Sequence, residues 1–319
     1  MKDHKKVLVT GATGFIGANL ARRLISLGFN VNLILRARSN PWRIKDILSK
    51  VKIYEGDLRD QKTLNKLVNK IKPQIIYHLA TYGSYPSFQK DLQQMIQTNI
   101  VGTANLLNTC SKVGFDLFVN TGTSSEYGIK NAPISETDLL EPNNDYGVTK
   151  ATATLLCQSI AKRNNLPIAT LRFFSAYGYY EEPFRLIPTV IRACLKNERL
   201  LLSSPNSVRD FCFVEDIVDA YLTVASVKNI SGEIFNVSVG KQYTVGAVVD
   251  KIIELSQAKM KPEWDKMPKH QNEPKSWVAD ISKAEKFFKW KPKYSLNEGL
   301  KKTITWFQQN LHLYNSVRQ

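Results

Sequence analysis

Residues 9–20 read VTGATGFIGANL. A short apolar run, KKVLVTG over 5–11, leads into them. Residues 15–27 then carry Phe15, Ile16, Leu20, Leu24, Ile25 and Leu27 at helical spacing, up to Gly28. The segment therefore reads as strand, glycine turn, helix. Glycines at 11, 14 and 17 permit a tight turn and close approach of a ligand to the backbone. The free N–H groups and positive dipole end of the helix suit a pyrophosphate. Gly11, Thr13, Gly14, Phe15, Ile16 and Gly17 are thus candidate contacts of a dinucleotide.

The same alternation continues outward. Strand patterns appear in NVNLILR (30–36), VKIYEGDL (51–58), QIIYHLA (74–80), FDLFVNTG (115–122) and LPIATLRFFSAYG (166–178). Helical patterns separate them at 61–71, 91–112 and from DYGVTK (145–150) to about 164. Strands joined by helices of this length require right-handed crossovers and a parallel sheet. The predicted fold is α/β, a doubly wound parallel sheet of Rossmann type with a smaller α/β C-terminal domain. Residues 1–178 are read as the dinucleotide-binding domain and 179–319 as the substrate domain. Segments near 209–240, with a helix at 215–226 and a strand at 233–238, return to the first domain.

Composition narrows the function. The chain has 319 residues, 43% hydrophobic and 23% charged, the mix of a globular protein with a sizeable core. No apolar run reaches the length of a membrane span, and the N-terminus lacks a signal-peptide pattern, so a cytoplasmic location without membrane insertion is expected. Four dispersed cysteines and four dispersed histidines predict reduced thiols and no metal site. The net charge of +16 comes from scattered lysines, densest in KHQNEPKSW and KAEKFFKWKPK. It suits an anionic small substrate, and no nucleic-acid motif accompanies it.

The second strand ends Leu35-Arg36-Ala37-Arg38. A carboxylate there would hold the ribose hydroxyls of NAD; arginine matches the extra phosphate of NADP. NADP(H) is therefore favoured, with NAD left open. Asp57 and Leu58 end the third strand, where Asp57 would accept from the adenine amine. Leu79, Ala80 and Thr81 end the next and would line the cofactor.

Tyr146 and Lys150 stand four apart, on one face of a helix start. Upstream, Thr123, Ser124 and Ser125 present hydroxyls at a strand's carboxyl end. Hydride transfer to a carbonyl leaves charge on oxygen. A phenol whose pKa is lowered by a neighbouring ammonium supplies the proton, and a hydroxyl orients the oxygen. Thr123, Tyr146 and Lys150 form that set. Tyr127 is the rival tyrosine, but residue 131 is asparagine.

With TGATGFIG, GDL, HLA, TSSEYG, YGVTK, LRFFSAYG and RDFCFVEDI in view, the chain resembles the extended short-chain dehydrogenase/reductase family over residues 5–308. More narrowly, it resembles the nucleotide-sugar epimerases, dehydratases and reductases. The resemblance implies that Thr123, Tyr146 and Lys150 are the catalytic triad and that Asn99 holds the active-site geometry beside the cofactor. It also implies a nucleoside-diphosphate sugar as substrate, and a homodimer formed through a four-helix bundle from 91–112 and 146–164. Arg209 is similar to the arginine that contacts the substrate diphosphate, and Arg185 is a second candidate. Ser124, Ser125 and Ser175 would also face the substrate, Ser175 standing where many relatives have asparagine.

The departures point to the reaction. Related 4,6-dehydratases carry an acidic pair directly after the threonine; here Ser124 and Ser125 follow, and Glu126 comes one place later. Related 4-epimerases end the second strand in aspartate. LRARSNPWRI (35–44) and FFSAYGYYEEPFRLIP (173–188) are most similar to NADPH-dependent reductases. The leading expectation is thus reduction of the 4-keto group of a nucleoside-diphosphate 4-keto-6-deoxyhexose. An NAD-dependent nucleotide-sugar 4-epimerase with the same triad is the alternative, and a non-catalytic NADP-binding sensor a third. Asp216 is expected to cap the helix after FCFV. Trp277 and Trp290 are expected in the core, and Phe174 and Tyr177 either in the core or against a ligand.

Overall fold

The first strand, β1 (Lys6–Thr10), has every residue but its first buried, and its side chains alternate between two cores. The computed structural model describes residues 5–84, 89–268 and 274–314; part of the basic stretch KHQNEPKSW lies outside them. After β1 come α1 (Phe15–Ser26), β2 (Asn30–Leu35), a 3₁₀ helix (Trp42–Lys50), β3 (Lys52–Glu55), α2 (Gln61–Ile71) and β4 (Ile75–His78). A continuous helical segment follows: α3 (Leu92–Met95), a π turn (Ile96–Val101) and α4 (Gly102–Val113). Then come β5 (Leu117–Thr123), α5 (Asp145–Asn164), β6 (Ile168–Phe173), β7 (Ser175–Tyr177), α6 (Leu186–Lys196), β8 (Val208–Arg209) and β9 (Phe211–Phe213). The chain continues with α7 (Val214–Val224), β10 (Glu233–Val237), β11 (Tyr243–Thr244), α8 (Val245–Ser256), α9 (Ser282–Phe288) and α10 (Leu296–Asn310).

Seven strands form one sheet in the order β10-β6-β5-β4-β1-β2-β3, and every adjacent pair is parallel. This is the doubly wound, Rossmann-like α/β fold that the alternation predicts. Strand order reverses between β1 and β4, the place where such sheets open a crevice at their carboxyl ends. Val7 and Val9 pack on one face with Leu24, Ile217 and Tyr221 from α1 and α7. Leu8 packs on the other with Leu106 and Cys157 from α4 and α5. A further core joins α6, α8, α10 and β9 through Ile191, Val249, Phe307 and Phe213.

Gly17 shows why the α1 start is so tightly wound. A Cβ there would lie 2.3 Å from the Gly11 carbonyl oxygen and 2.9 Å from the Ala12 Cα. The helix N-terminus therefore packs directly on the turn that precedes it.

Asp216 does not cap α7. Phe213 occupies the cap position without a side-chain bond. The Asp216 carboxylate is fully buried and accepts from the backbone N–H groups of Lys293 (2.7 Å) and Tyr294 (3.3 Å). It ties α7 to the segment before α10. The Trp290 indole is buried and donates to the Asp216 carbonyl oxygen at 3.3 Å. Tyr177 is core, wedged between the rings of Phe211 and Phe213. Among the described residues, no helix is long and apolar enough to cross a membrane.

Candidate active site

A cleft of about 690 Å³ opens at the carboxyl ends of β1, β4 and β5. At one end lies the glycine loop. Gly14 caps α1 with no side-chain bond, and the first turn contains no acidic residue, so its N–H groups face the cleft without an internal partner. Gly11, Gly14, Phe15, Ile16, Gly17, Leu79 and Thr81 line this end. Thr13 stands behind the loop. Its carbonyl oxygen accepts from Arg43 (3.2 Å), whose Nε donates to the Tyr180 carbonyl oxygen (2.7 Å) and whose Nη2 pairs with Glu182 (2.6 Å).

Thr123, Ser124, Ser125 and Tyr146 meet at the centre. They are brought together because α5 starts against the turn that follows β5. The Asn144 side chain caps α5 by accepting from the Gly147 N–H at 2.8 Å. Gly147 itself has no room for a side chain, since a Cβ would lie 2.5 Å from the Ser125 carbonyl oxygen. The half-buried Tyr146 thereby stands beside Thr123 and Thr81, whose hydroxyls favour its ionised form. Lys150 is buried, 2% exposed, and its ammonium has no hydrogen bond or ion pair among the described residues.

The expected lowering of the Tyr146 pKa does not occur. Burial, and then the Glu126 carboxylate, push the phenol up to about 12. Lys150 is itself held below its ordinary value by burial, against the pull of Glu126. The phenol therefore keeps its proton at neutral pH. Glu126 faces away from the cleft, as its place one residue later predicts. It is fully buried and ion-paired to Arg172, with Nε–Oε2 at 2.7 Å.

Asn99 lies in the π turn, 1% exposed. Its Oδ1 accepts from Thr81 Oγ1 (3.0 Å) and the Tyr82 N–H (2.8 Å). Its Nδ2 donates to the Tyr82 carbonyl oxygen (2.8 Å) and to Thr149 Oγ1 (2.9 Å). It fixes the strand end and α5 together without itself lining the cleft.

Some predicted residues stand elsewhere. Arg36, exposed just after β2, the half-buried Asp57 and the buried Leu58 all lie outside the wall of the cleft. The Asp57 carboxylate is forked onto Arg59, with Nη2–Oδ2 at 2.7 Å, and this bond holds its pKa below the ordinary value. Ala80 donates its N–H to Thr10 Oγ1 (3.3 Å) behind the wall. On the substrate side Ser175, Arg185 and Arg209 line the cleft. The neighbouring Asp210 is turned inward onto the N–H groups of Val239 (3.1 Å), Gly240 (3.0 Å) and Ala279 (3.0 Å). Trp277 is not core: it lines the cleft and stacks edge-on against Phe174, with ring centroids 6.3 Å apart.

Sequence reasoning missed Glu181. Its carboxyl is 5% exposed, lines the cleft and is pushed up to about 8 by burial. The left-handed backbone of Tyr180 (φ 64°) turns it inward, and no local pattern announces that. Also missed was His78, whose surroundings dictate its tautomer. Thr103 Oγ1 donates to the Asn99 carbonyl oxygen (2.6 Å), so it accepts from His78 Nε2 (2.8 Å). With the proton on Nε2, Nδ1 is the acceptor and takes a hydrogen bond from Thr10 Oγ1 (2.8 Å), which itself accepts from the Ala80 N–H.

These features suit a bound dinucleotide: an uncapped helix start for its phosphates and a buried, unpartnered ammonium beside a phenol. A profile of the NAD-dependent epimerase/dehydratase family matches residues 7–238. The chain belongs to this family. It is an enzyme of the extended short-chain dehydrogenase/reductase type. Within the family it is 28% identical over 322 residues to a UDP-glucuronate 4-epimerase of Thermodesulfobacterium geofontis, spanning 98% of each chain. A UDP-glucose 4-epimerase of Thermotoga maritima, solved with UDP-glucose, superposes with a TM-score of 0.88 at 26% identity, covering 96% of this chain and 99% of the other. A UDP-glucuronic acid 4-epimerase of Bacillus cereus, solved with UDP-glucuronic acid and NAD, gives 0.84 at 30% identity, covering 95% and 99%.

The family strand end around His78 yields a test. Burial and the nearby Lys150 charge hold the imidazole down at about 3, so it stays neutral. A depressed histidine contributes stability that is complete above its unfolded value near 6.5. That stability falls by about 1.4 kcal/mol per pH unit as pH drops from there toward the folded value. Imidazole ¹⁵N shifts should show His78 as the Nε2–H tautomer, without titration between pH 5 and 8; a midpoint near 6.5 would contradict the buried chain.

Proposed function

We propose that this protein is an NAD-dependent nucleotide-sugar 4-epimerase, with Thr123, Tyr146 and Lys150 as its catalytic set. The observation that carries the reading is Tyr146 on the cleft wall with Thr81 and Thr123, one helical turn before the buried Lys150. The 4-epimerases among its relatives, one solved with NAD, support epimerisation over simple ketoreduction. Bound NAD supplies a ring that accepts a hydride from a sugar carbon and returns it. The glycine loop, the N–H groups of α1, Leu79, Thr81 and Lys150 would hold the dinucleotide.

The chain's own residues handle the proton. Tyr146 acts in its phenolate form, which the positive charges of Lys150 and of the nicotinamide, when bound, would favour over the phenol of the free protein. The phenolate takes the proton from the sugar hydroxyl during oxidation, and the phenol gives it back to the oxygen during reduction. Thr123 donates a hydrogen bond to the same oxygen, stabilising its charge as it develops. Lys150, fixed one helical turn away, keeps positive charge near the phenol and ribose. Arg209 and Arg185 would bind the diphosphate, and Ser124, Ser125 and Ser175 the sugar. Neutral residues at 124 and 125 leave no acidic pair for the elimination that a dehydratase performs. The protein would act in the cytoplasm as a homodimer through α4 and α5. On α5, Val148 and Leu155 remain 47% and 51% exposed on one face. Leu155→Asp should convert the dimer to monomer in sedimentation; a wild-type monomer would remove this part of the reading.

One observation favours a second reading. Arg36 follows β2, whose own last residues include no carboxylate, and this suits NADP and hence a 4-ketoreductase. The two readings separate cleanly. An epimerase should release NAD on denaturation and interconvert a nucleoside-diphosphate hexose with its C4 epimer without consuming external cofactor. Tyr146→Phe should lower kcat by about 10²–10⁴-fold. Stoichiometric NADPH oxidation with a 4-keto-6-deoxy nucleotide sugar, and no bound NAD, would replace the epimerase with the reductase.

A further inference from the structure

Arg43, 5% exposed, lies between the glycine turn and the wall that follows β7, and its guanidinium reaches both. Nη1 donates to the Thr13 carbonyl oxygen at 3.2 Å. Nε donates to the Tyr180 carbonyl oxygen at 2.7 Å, and Nη2 is ion-paired to Glu182 at 2.6 Å. The arginine is itself held in place. Ile44 and Ile47 of the same 3₁₀ helix are buried in the core, and the Trp42 ring lies against the guanidinium, with its centre 4.3 Å from the guanidinium carbon. We propose that Arg43 is the positioning residue that makes the cofactor turn and the substrate wall move as one, so that a nucleotide sugar in the cleft holds the dinucleotide in place. The proposal rests on the reading made above, of a cleft that takes a dinucleotide and a nucleotide sugar together.

On the cofactor side the tie acts on one peptide. Arg43 holds the Thr13 carbonyl, and the Gly14 N–H donates to the Gly11 carbonyl oxygen at 3.0 Å, so the Thr13–Gly14 peptide plane is fixed at both ends. That plane leads directly into the first turn of α1, whose free N–H groups suit phosphates. On the substrate side the tie acts on a strained turn. Tyr180 is left-handed, a conformation that a bulky residue keeps only where its surroundings impose it. Three successive carbonyls are gripped there by side chains from distant elements. Asn19 of α1 holds that of Tyr179 (2.8 Å), Arg43 that of Tyr180, and the Tyr314 hydroxyl that of Glu181 (2.9 Å). The same segment brings Glu181 and Arg185 to the wall of the cleft. Of the three, Arg43 is the one that also bonds the glycine turn; the other bond of Asn19 is to the Phe15 carbonyl oxygen within its own helix (3.0 Å). Arg43 and Glu182 neutralise each other, so the tie works through its geometry and not through net charge. Lysine is no substitute, because an ammonium on a flexible stem lacks the planar fork that serves several acceptors at once.

The test is the rate at which the bound dinucleotide exchanges with isotope-labelled NAD, or NADP where that is the one held, with and without UDP-glucose, UDP-glucuronate or dTDP-glucose. In wild type one of these sugars should slow the exchange at least about fivefold. Arg43→Met with Glu182→Gln removes the guanidinium without leaving a lone buried carboxylate. In that double variant the same sugar should slow the exchange by less than about twofold. Arg43→Lys, which keeps the charge and loses the fork, should lose the coupling too. Glu182→Gln keeps both carbonyl bonds, and Asn19→Ala leaves the fork whole, so both should retain the wild-type ratio. A fold that is merely weakened changes the exchange rate itself and not this ratio. Hydrogen exchange of the unliganded protein reads the same tie: amides of 13–17 and of 178–182 should open together, at least about fivefold faster in the double variant than in wild type. An unchanged ratio or unchanged amide exchange in the double variant would overturn the proposal. So would a wild type whose exchange no sugar slows, or an equal loss of coupling in Asn19→Ala, which would make the effect one of packing alone. A wild type that takes up neither dinucleotide would sink the proposed function instead, and the amide exchange would still decide the tie.

Discussion

The carboxamide of Asn99 sets the geometry on which the rest of the site depends. All four of its hydrogen bonds are made inside the protein, and they connect three elements: the end of β4, the π turn and α5. The π turn lets this side chain point inward between the strand end and the helix, and such bulges recur at functional sites. Through Thr81 it fixes one hydroxyl of the cleft wall that also holds Tyr146. Through Thr149, which also bonds the Tyr146 carbonyl oxygen at 3.0 Å, it sets the first turn of α5. A buried amide so fully satisfied is expensive to disturb, because any loss leaves an unpaired polar group in the interior.

Around that clamp the protein concentrates its buried polar groups at the carboxyl ends of the central strands. Thr10, His78, Thr103, Glu126, Arg172 and Lys150 are all nearly inaccessible to solvent. The apolar cores above and below the sheet provide the stability that offsets their burial. The result is a rigid floor with a charged underside, facing a cleft whose opposite wall is built from the segment after β7. That wall is joined to the glycine loop by Arg43, which bonds Thr13 on one side and Tyr180 and Glu182 on the other. Cofactor loop and substrate wall are in this way parts of one hydrogen-bonded unit.

Much of this was readable from the chain. The alternation of apolar runs specified the parallel sheet, because its central strands must be buried on both faces. The glycine spacing located the phosphate loop, and the four-residue step from Tyr146 to Lys150 placed both on one helical face. Thr123 and the two serines followed from their place at a strand end. The sequence was silent where long-range packing decides. Nothing local foretold that Asp216 would hold a backbone 77 residues away, that Trp277 would return to the cleft, or that Glu181 would be turned inward. The Tyr146 pKa was misjudged for a related reason. A neighbouring ammonium is visible in the sequence, but the depth of burial and the Glu126 charge, which outweigh it, emerge only from the folded chain. The choice of reductase over epimerase rested on Arg36 and Arg38, on the missing aspartate and on the stretches 35–44 and 173–188, and the two arginines prove to be exposed.

In the proposed reaction one hydride leaves and returns to the same sugar carbon while Tyr146 carries the proton. A nucleoside-diphosphate hexose deuterated at C4 tests it most directly. Mass spectrometry and NMR of the equilibrated mixture should show the C4 epimer with deuterium retained at C4, formed without added cofactor. Washout of the label to solvent, or conversion that stops unless NADPH is supplied in stoichiometric amount, would contradict the claim.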